Sequence, residues 1–162
     1  MPASKTCNLL YGRPPSLVAM IASLALGACA TGPTPPTAVA IQPVQVNAAE
    51  LPGDYGLASY HRTEDRERTL EQAKIACNNP YTIAPGTGGG VLMHGARQTQ
   101  LSEMFVKKGA DGRSYIGPQG PAGIAQDRLV ISYDNGVLET EWMDPEIRTS
   151  YGRMVLVPCT NT

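Results

Sequence analysis

The segment RLVISYDNGVLETEW, Arg128 to Trp142, constrains the fold more than any other part of the chain. Apolar and polar residues alternate on both sides of Asp134-Asn135-Gly136, and an Asn-Gly pair between two alternating runs is a strong signal for a β-hairpin. The side chains predicted to share a face are Leu129, Ile131 and Tyr133 on the first strand, and Leu138, Thr140 and Trp142 on the second. The segment therefore predicts an antiparallel sheet.

A helix is predicted ahead of this hairpin, from Thr63 to Cys77. Thr63 can cap the first turn, and Leu70, Ala73 and Cys77 recur at the spacing of one helix face. Ile75 lies off that face. We therefore expect Cys77 at the C-terminal end of the buried side of the helix.

After the helix, the hydrophobic period changes to two residues, which is typical of strands. Further strand candidates are Tyr81–Ala84, Val91–His94, Leu101–Lys108 and Tyr151–Cys159. Together with the hairpin they predict a mainly β (α+β) domain, a small antiparallel sheet of five to six strands with one N-terminal helix. The sheet is expected to curve into a partial or closed barrel, because closure removes exposed strand edges. A flat α+β sandwich is the alternative.

The first 28 residues have the pattern of a secretory signal peptide. Lys5 and Arg13 precede SLVAMIASLALGA, Ser16 to Ala28, an uncharged run of 13 residues. A membrane-spanning helix needs about 20 apolar residues, whereas the apolar region of a signal peptide has about 7–15. Residues 1–28 are therefore predicted to be removed.

Leu26-Gly27-Ala28-Cys29, at the end of this run, resembles the lipobox of bacterial lipoproteins. The resemblance implies that Cys29 is acylated, for example with palmitate, and becomes the N-terminus of the mature protein. Ala30 stands where an aspartate would favour the inner membrane. The resemblance therefore implies an outer-membrane anchor on the periplasmic face, with the inner membrane and the cell surface as alternatives. An ordinary cleavable signal with an incidental cysteine is the alternative to lipidation.

Residues 29–50 contain four prolines and one charged side chain, which predicts an extended tether. A short apolar part of it, Val39 to Val46, alternates weakly and could dock as an edge strand, with a plain linker as the alternative. The small β-rich globular domain is predicted to span residues 51–162.

The cysteines predict one disulfide. If Cys7 leaves with the signal peptide and Cys29 is acylated, Cys77 and Cys159 remain. Two thiols in an oxidising compartment are expected to pair, which would close the domain by joining the helix end to the last strand. Two free, buried thiols are the alternative. Two cysteines and two distant histidines do not readily supply a zinc site, so no metal and no cofactor is predicted.

The charge of the mature chain argues against a nucleic-acid partner. Residues 29–162 carry 11 basic and 14 acidic side chains, a net charge of −3, and the two signs are interleaved. A nucleic-acid-binding protein shows a basic patch or stripe instead. The net negative charge also argues against electrostatic attraction to anionic lipids. We therefore expect the N-terminal lipid to hold the protein on its membrane.

The segment most open to a binding role is the predicted loop from Gly117 to Gln126. Its length exceeds that of the usual hairpin loop, and long loops are often functional. The candidate binding residues in and beside it are Tyr115, Gly117, Pro118, Gln119, Pro121 and Gln126. A plain structural crossover is the alternative.

No catalytic residue is assigned, and no enzyme activity is predicted. His61 and His94 lack the spacing of a metal-binding motif, and no serine stands in a G-x-S-x-G motif. Both histidines are expected to have surface or hydrogen-bonding roles.

The lipobox, the Pro-rich tether and a small β domain with one cysteine pair are similar in layout to small envelope lipoproteins. These include lipid-anchored lysozyme and protease inhibitors. The layout favours a binding or inhibitory module whose partner is an envelope protein or glycan. A structural or assembly lipoprotein of the outer membrane and a periplasmic hydrolase are the alternatives.

Overall fold

The computed structural model of this protein describes residues 43–159, which contain eight strands and two α-helices. The predicted signal peptide, Cys29 and residues 30–42 lie outside the described residues, as do residues 160–162. Within the described part of the chain, no helix is both long and apolar enough to cross a membrane.

The eight strands form one closed antiparallel barrel. In chain order they are β1 (Gly53–Tyr60), β2 (Tyr81–Pro85), β3 (Val91–His94), β4 (Leu101–Lys108), β5 (Ser114–Gly117), β6 (Arg128–Asp134), β7 (Val137–Trp142) and β8 (Arg153–Pro158). Each strand pairs with the next along the chain, and β8 pairs with β1. The mainly β fold is confirmed. The sheet closes into a barrel, so the alternative of a flat sandwich is wrong.

The predicted number of elements is wrong, because the barrel has eight strands and its connections contain two helices. Helix α1 (Arg66–Ala76) connects β1 to β2 and follows a short 3-10 turn at Thr63–Asp65. Helix α2 (Pro145–Tyr151) connects β7 to β8. The single predicted helix corresponds to α1 and its leading turn.

Weak local signals explain the missing elements. Strand β1 contains two glycines and no regular apolar alternation, and β5 has only four residues, all buried. Helix α2 begins at Asp144-Pro145, where the Asp144 carboxylate accepts hydrogen bonds from the backbone N–H groups of Glu146 and Ile147. Because α2 extends to Tyr151, the strand predicted from Tyr151 begins only at Arg153.

The predicted hairpin is confirmed as β6 and β7, joined by Asn135-Gly136. These two residues have φ angles of 50° and 80°, which is the backbone that a two-residue hairpin turn requires. Asn and Gly adopt such angles more readily than other residues do. The local turn chemistry therefore sets the connection between the two strands.

A β-bulge corrects the predicted faces of β6. Leu129, Ile131 and Tyr133 do not share a face, because the register shifts by one residue at Ile131. Leu129 lies opposite Glu141 on the outer side, whereas Tyr133 lies opposite Leu138 and packs on the interior core. One extra residue is enough to reverse the faces, because side chains alternate with a period of two.

Apolar side chains from all eight strands pack inside the barrel. The buried members of this core in the strands are Tyr55, Ile83, Val91, Met93, Met104, Ile116, Val130, Leu138 and Leu156. The end of the barrel at the Asn135-Gly136 turn is called the base. The opposite end, where β3 ends at His94 and β7 ends at Trp142, is called the mouth.

Residues 43–51 cover the base. Val44 packs against the interior core, Leu51 is fully buried in it, and the Tyr55 hydroxyl donates a hydrogen bond of 2.9 Å to the Leu51 carbonyl. Residues 43–46, the described part of the possible edge strand, dock without joining the sheet. The packed fold therefore begins upstream of residue 51.

Helix α1 packs on the outer face of β1 and β8. Ala73 is buried there in a second apolar cluster with Tyr60 and Val155, whereas Ile75 is 68% exposed, as the helical pattern predicts. The helix lies so close to β1 that a Cβ atom at Gly56 would collide with the carbonyl oxygen of Ala73. Glycine at this position allows the helix to reach the sheet.

The predicted disulfide between Cys77 and Cys159 is confirmed. Its Cα atoms lie 5.6 Å apart, and it joins the end of α1 to the residue after β8 across 82 positions of the sequence. In the chain-entropy model, a cross-link of that span stabilises the folded state by about 4–5 kcal/mol. The disulfide therefore reinforces the strand pair that closes the barrel.

The close approach of α1 to β1 predicts the effect of one added methyl group. Gly56→Ala should lower the free energy of unfolding by about 3 kcal/mol, since either the helix or the strand has to move. Urea unfolding measures the change. Ser59→Ala, an exposed position on the same strand, is the control and should change it by less than about 0.5 kcal/mol. Equal stability of Gly56→Ala and the wild type would contradict this packing.

Candidate functional site

The loop from Gly117 to Gln126 is folded around a buried ion pair. The Lys107 ammonium lies 2.7 Å from the Asp127 carboxylate and also donates to the carbonyl oxygens of Pro118 and Pro121 at 3.0 and 2.9 Å. Asp127 is fully buried, and its second oxygen accepts hydrogen bonds from backbone N–H groups of the loop. These contacts within the domain give the loop a defined shape.

The candidate binding residues of this region divide into buried and exposed groups. Tyr115 and Gly117 are buried, and the Tyr115 hydroxyl donates to Asp111 at 2.7 Å. That bond and those from Arg113 lower the pKa of Asp111 to about 2. Gln119, Pro121 and Gln126 are exposed, and Pro118 is half-buried. Ligand binding by this loop stays a prediction.

A pocket at the mouth of the barrel was not predicted from the sequence. Its volume is about 380 Å³. The apolar and aromatic side chains that line it are Leu57, Tyr81, Trp142, Tyr151, Met154 and Leu156. Pockets that bind small molecules have volumes of about 300–1,000 Å³ and mostly apolar walls with a few placed polar groups. The mouth has these properties.

Arg128, the first residue of β6, is the charged group of this pocket. Its side chain points inward, is 5% exposed and stacks on Trp142, with the guanidinium carbon 4.2 Å from the ring centre. One guanidinium nitrogen donates a hydrogen bond of 2.5 Å to the backbone carbonyl of His94. Burial lowers the pKa of Arg128, and the neighbouring Tyr81 hydroxyl partly opposes this effect. Arginine nevertheless stays protonated in proteins, so the pocket contains a positive charge.

No carboxylate within residues 43–159 pairs with Arg128, and no Asp or Glu among them lines the pocket. Two other cations of this fold, by contrast, form ion pairs with buried carboxylates. Lys107 pairs with Asp127, and Arg66 lies 3.1 Å from Glu139, which also accepts a hydrogen bond from Tyr60. Arg128 differs from both. It is a desolvated cation whose contacts within the described residues are an aromatic ring and neutral polar groups.

The rim of the pocket is formed by two segments that face each other. One is the β3–β4 loop, residues 95–100, and the other is α2. The Arg97 side chain of the loop lies 2.8 Å from Glu146 of α2, and both are exposed. Tyr151, at the end of α2, is 51% exposed at the opening. The pocket is therefore open to solvent between these segments.

The two histidines lie apart from each other. His61 is exposed beside the end of β1, and His94 lies in the pocket wall with its ring 5.5 Å from that of Tyr81. In the described range 43–159, neither imidazole forms a hydrogen bond to a serine or a carboxylate, and no group of His, Cys, Asp and Glu side chains is arranged to hold a metal ion. The geometry assigns His94 a place in the pocket wall.

Sequence reasoning could not have found Arg128 as a site residue. An uninterrupted two-residue hairpin would place residue 129 opposite Trp142, and only the bulge at Ile131 brings Arg128 to that position. The sequence contains one signal for an inward-pointing Arg128. Arg128 lies two residues before Val130, so the two side chains share a face of the strand, and Val130 belongs to the core.

The ion pair under the loop predicts a large effect of removing one partner. Lys107→Met leaves the Asp127 carboxylate buried without its cation and should lower the free energy of unfolding by about 3–5 kcal/mol. Hydrogen exchange of the Gly123 and Ile124 amides should also accelerate. Lys108→Met, the same change at the exposed neighbouring position, is the control and should leave both measurements nearly unchanged. Slow exchange at Gly123 in Lys107→Met would contradict the role of the ion pair.

Comparisons with protein-family models, with curated proteins and with solved structures found no significant match.

Proposed function

We propose that this chain is a binding protein of the cell envelope that holds a small ligand in the pocket at the mouth of its barrel. The observation that carries the proposal is the open, largely apolar pocket of about 380 Å³ with Arg128 as its buried polar group. Apolar walls provide the affinity of such pockets, and a few placed polar groups provide their specificity. No catalytic step is included in the proposal.

The mouth is a better candidate than the loop from Gly117 to Gln126. The polar groups around the loop, Lys107 and Asp127, are already bonded to the protein. At the mouth, by contrast, a ligand can offset the desolvation of Arg128 and cover apolar side chains at once. Ligand binding is therefore expected to be more favourable at the mouth than on the loop.

Two features support an envelope location. Leu26-Gly27-Ala28-Cys29 resembles a lipobox, which implies an acylated cysteine and attachment to the outer membrane on the periplasmic side. The Cys77–Cys159 disulfide fits an oxidising compartment, since disulfides rarely persist in the cytosol. The barrel would then bind its ligand while tethered close to the membrane.

Binding in the pocket predicts a saturable response of Trp142, the single tryptophan of the chain. The protein is purified in the form that the cell produces and is reconstituted into phosphatidylcholine liposomes. It is then titrated with hexan-1-ol, a neutral and water-soluble probe. Its tryptophan emission should shift and saturate. Leu57→Phe adds volume to the pocket wall and should weaken binding by about tenfold.

The matched control is Ile75→Phe, since Ile75 is exposed on α1. This variant should bind hexan-1-ol like the wild type. Unsaturable, linear emission changes in the wild type, or equal weakening by both substitutions, would show that the pocket is not the binding site.

Lipidation is tested by feeding radiolabelled palmitate to Gram-negative cells that produce the full chain. The label should enter the wild type and Cys7→Ser, a cysteine of the same leader, but not Cys29→Ser. Label retained by Cys29→Ser, or absent from the wild type, would contradict an anchor at Cys29.

A further inference from the structure

We infer that the pocket at the mouth selects a monocarboxylate with an apolar tail, whose carboxylate binds the guanidinium of Arg128. This inference rests on the proposed function, because it names the class of ligand for the same pocket. It adds to that function the sign of the ligand's charge, the functional group that carries the charge and the orientation of the ligand in the pocket.

The sign of the charge follows from the groups that line the pocket. They include two arginines and, in the range 43–159, no acidic residue. Arg97 already pairs with Glu146 at the rim, so Arg128 is the arginine without a carboxylate partner among those residues. A desolvated guanidinium gains most from an anion, because a buried charge is stabilised chiefly by an opposite charge with hydrogen bonds. A cationic ligand would instead be repelled.

The functional group follows from the geometry around the guanidinium. Trp142 covers one face of it, and the His94 carbonyl takes one of its donors. The Tyr81 hydroxyl is a second neutral neighbour of the group. A guanidinium has five donors in one plane, and a carboxylate can accept two parallel hydrogen bonds from such a fork. A phosphate dianion would bring a second negative charge into a pocket with one unpaired cation. The single positive charge therefore favours a monoanion.

The apolar tail follows from the walls. Leu57 and Leu156 are directly paired across β1 and β8, and Met154 is two residues from Leu156 on the same face of β8. The volume of about 380 Å³ lies at the lower end of the range for small-molecule pockets, which fits an aliphatic chain of medium length. The carboxylate would lie at Arg128 and the tail along the two leucines.

The test compares three six-carbon probes in the Trp142 fluorescence assay at about pH 7, where hexanoate is ionised. Hexanoate should bind the wild-type chain at least about tenfold more tightly than hexanamide, its neutral counterpart. Hexylammonium should bind more weakly than either. Arg128→Gln should bring the affinity for hexanoate down to that for hexanamide.

The control variant is Arg68→Gln, which removes an exposed arginine of α1 that does not line the pocket. It should keep the preference for hexanoate over hexanamide, and loss of that preference would show that it arises from the general charge of the protein and not from Arg128. The wild-type comparison does not depend on either variant folding, and a cooperative urea transition confirms that each does.

Equal affinity of the wild type for hexanoate, hexanamide and hexan-1-ol would overturn the inference and leave the proposed function in place. Absence of a saturable response to all of these probes would overturn both. A preference for hexanoate that survives Arg128→Gln would overturn the assignment to Arg128.

Discussion

The pairing of β1 with β8 is the interaction on which the rest of the structure depends. The residues from Tyr55 to Tyr60 lie opposite those from Pro158 back to Arg153, and this antiparallel ladder turns an eight-stranded sheet into a barrel without free edges. Helix α1 packs on the same two strands, and the Cys77–Cys159 disulfide ties the helix end to the residue that follows β8. Closure also sets Leu57 opposite Leu156, which creates one wall of the pocket.

The two ends of the closed barrel differ, and the difference suggests a function. At the base, Leu51 and residues 43–50 complete the apolar core. At the mouth, Arg128 and Trp142 stack on each other and line an open pocket together with Leu57. The contrast with Lys107, whose charge is fully engaged by Asp127 and two carbonyl oxygens, shows how this fold neutralises a buried cation that has a structural role. Arg128 has no such set of partners among residues 43–159.

Elements with strong local signals were predictable from the sequence. The Asn135-Gly136 turn, the strands Val91–His94 and Leu101–Lys108, the α1 helix and the cysteine pair all follow from turn chemistry, periodicity or redox reasoning. Strands β1 and β5 have no such pattern, because their positions are determined by neighbours that are distant in the sequence. The bulge at Ile131 has no signal either, and it determines which residue lies opposite Trp142. The pocket depends on that register, so it could be recognised only in three dimensions.

Arg128 is the group that makes the mouth of this barrel a site for an anion. The most direct measurement is a crystal structure of the full chain grown with hexanoate. We predict a carboxylate within hydrogen-bond distance of the Arg128 guanidinium and an aliphatic tail beside Leu57 and Leu156. A structure in which Arg128 pairs with a carboxylate of the chain itself, and in which hexanoate does not occupy the mouth, would contradict this account.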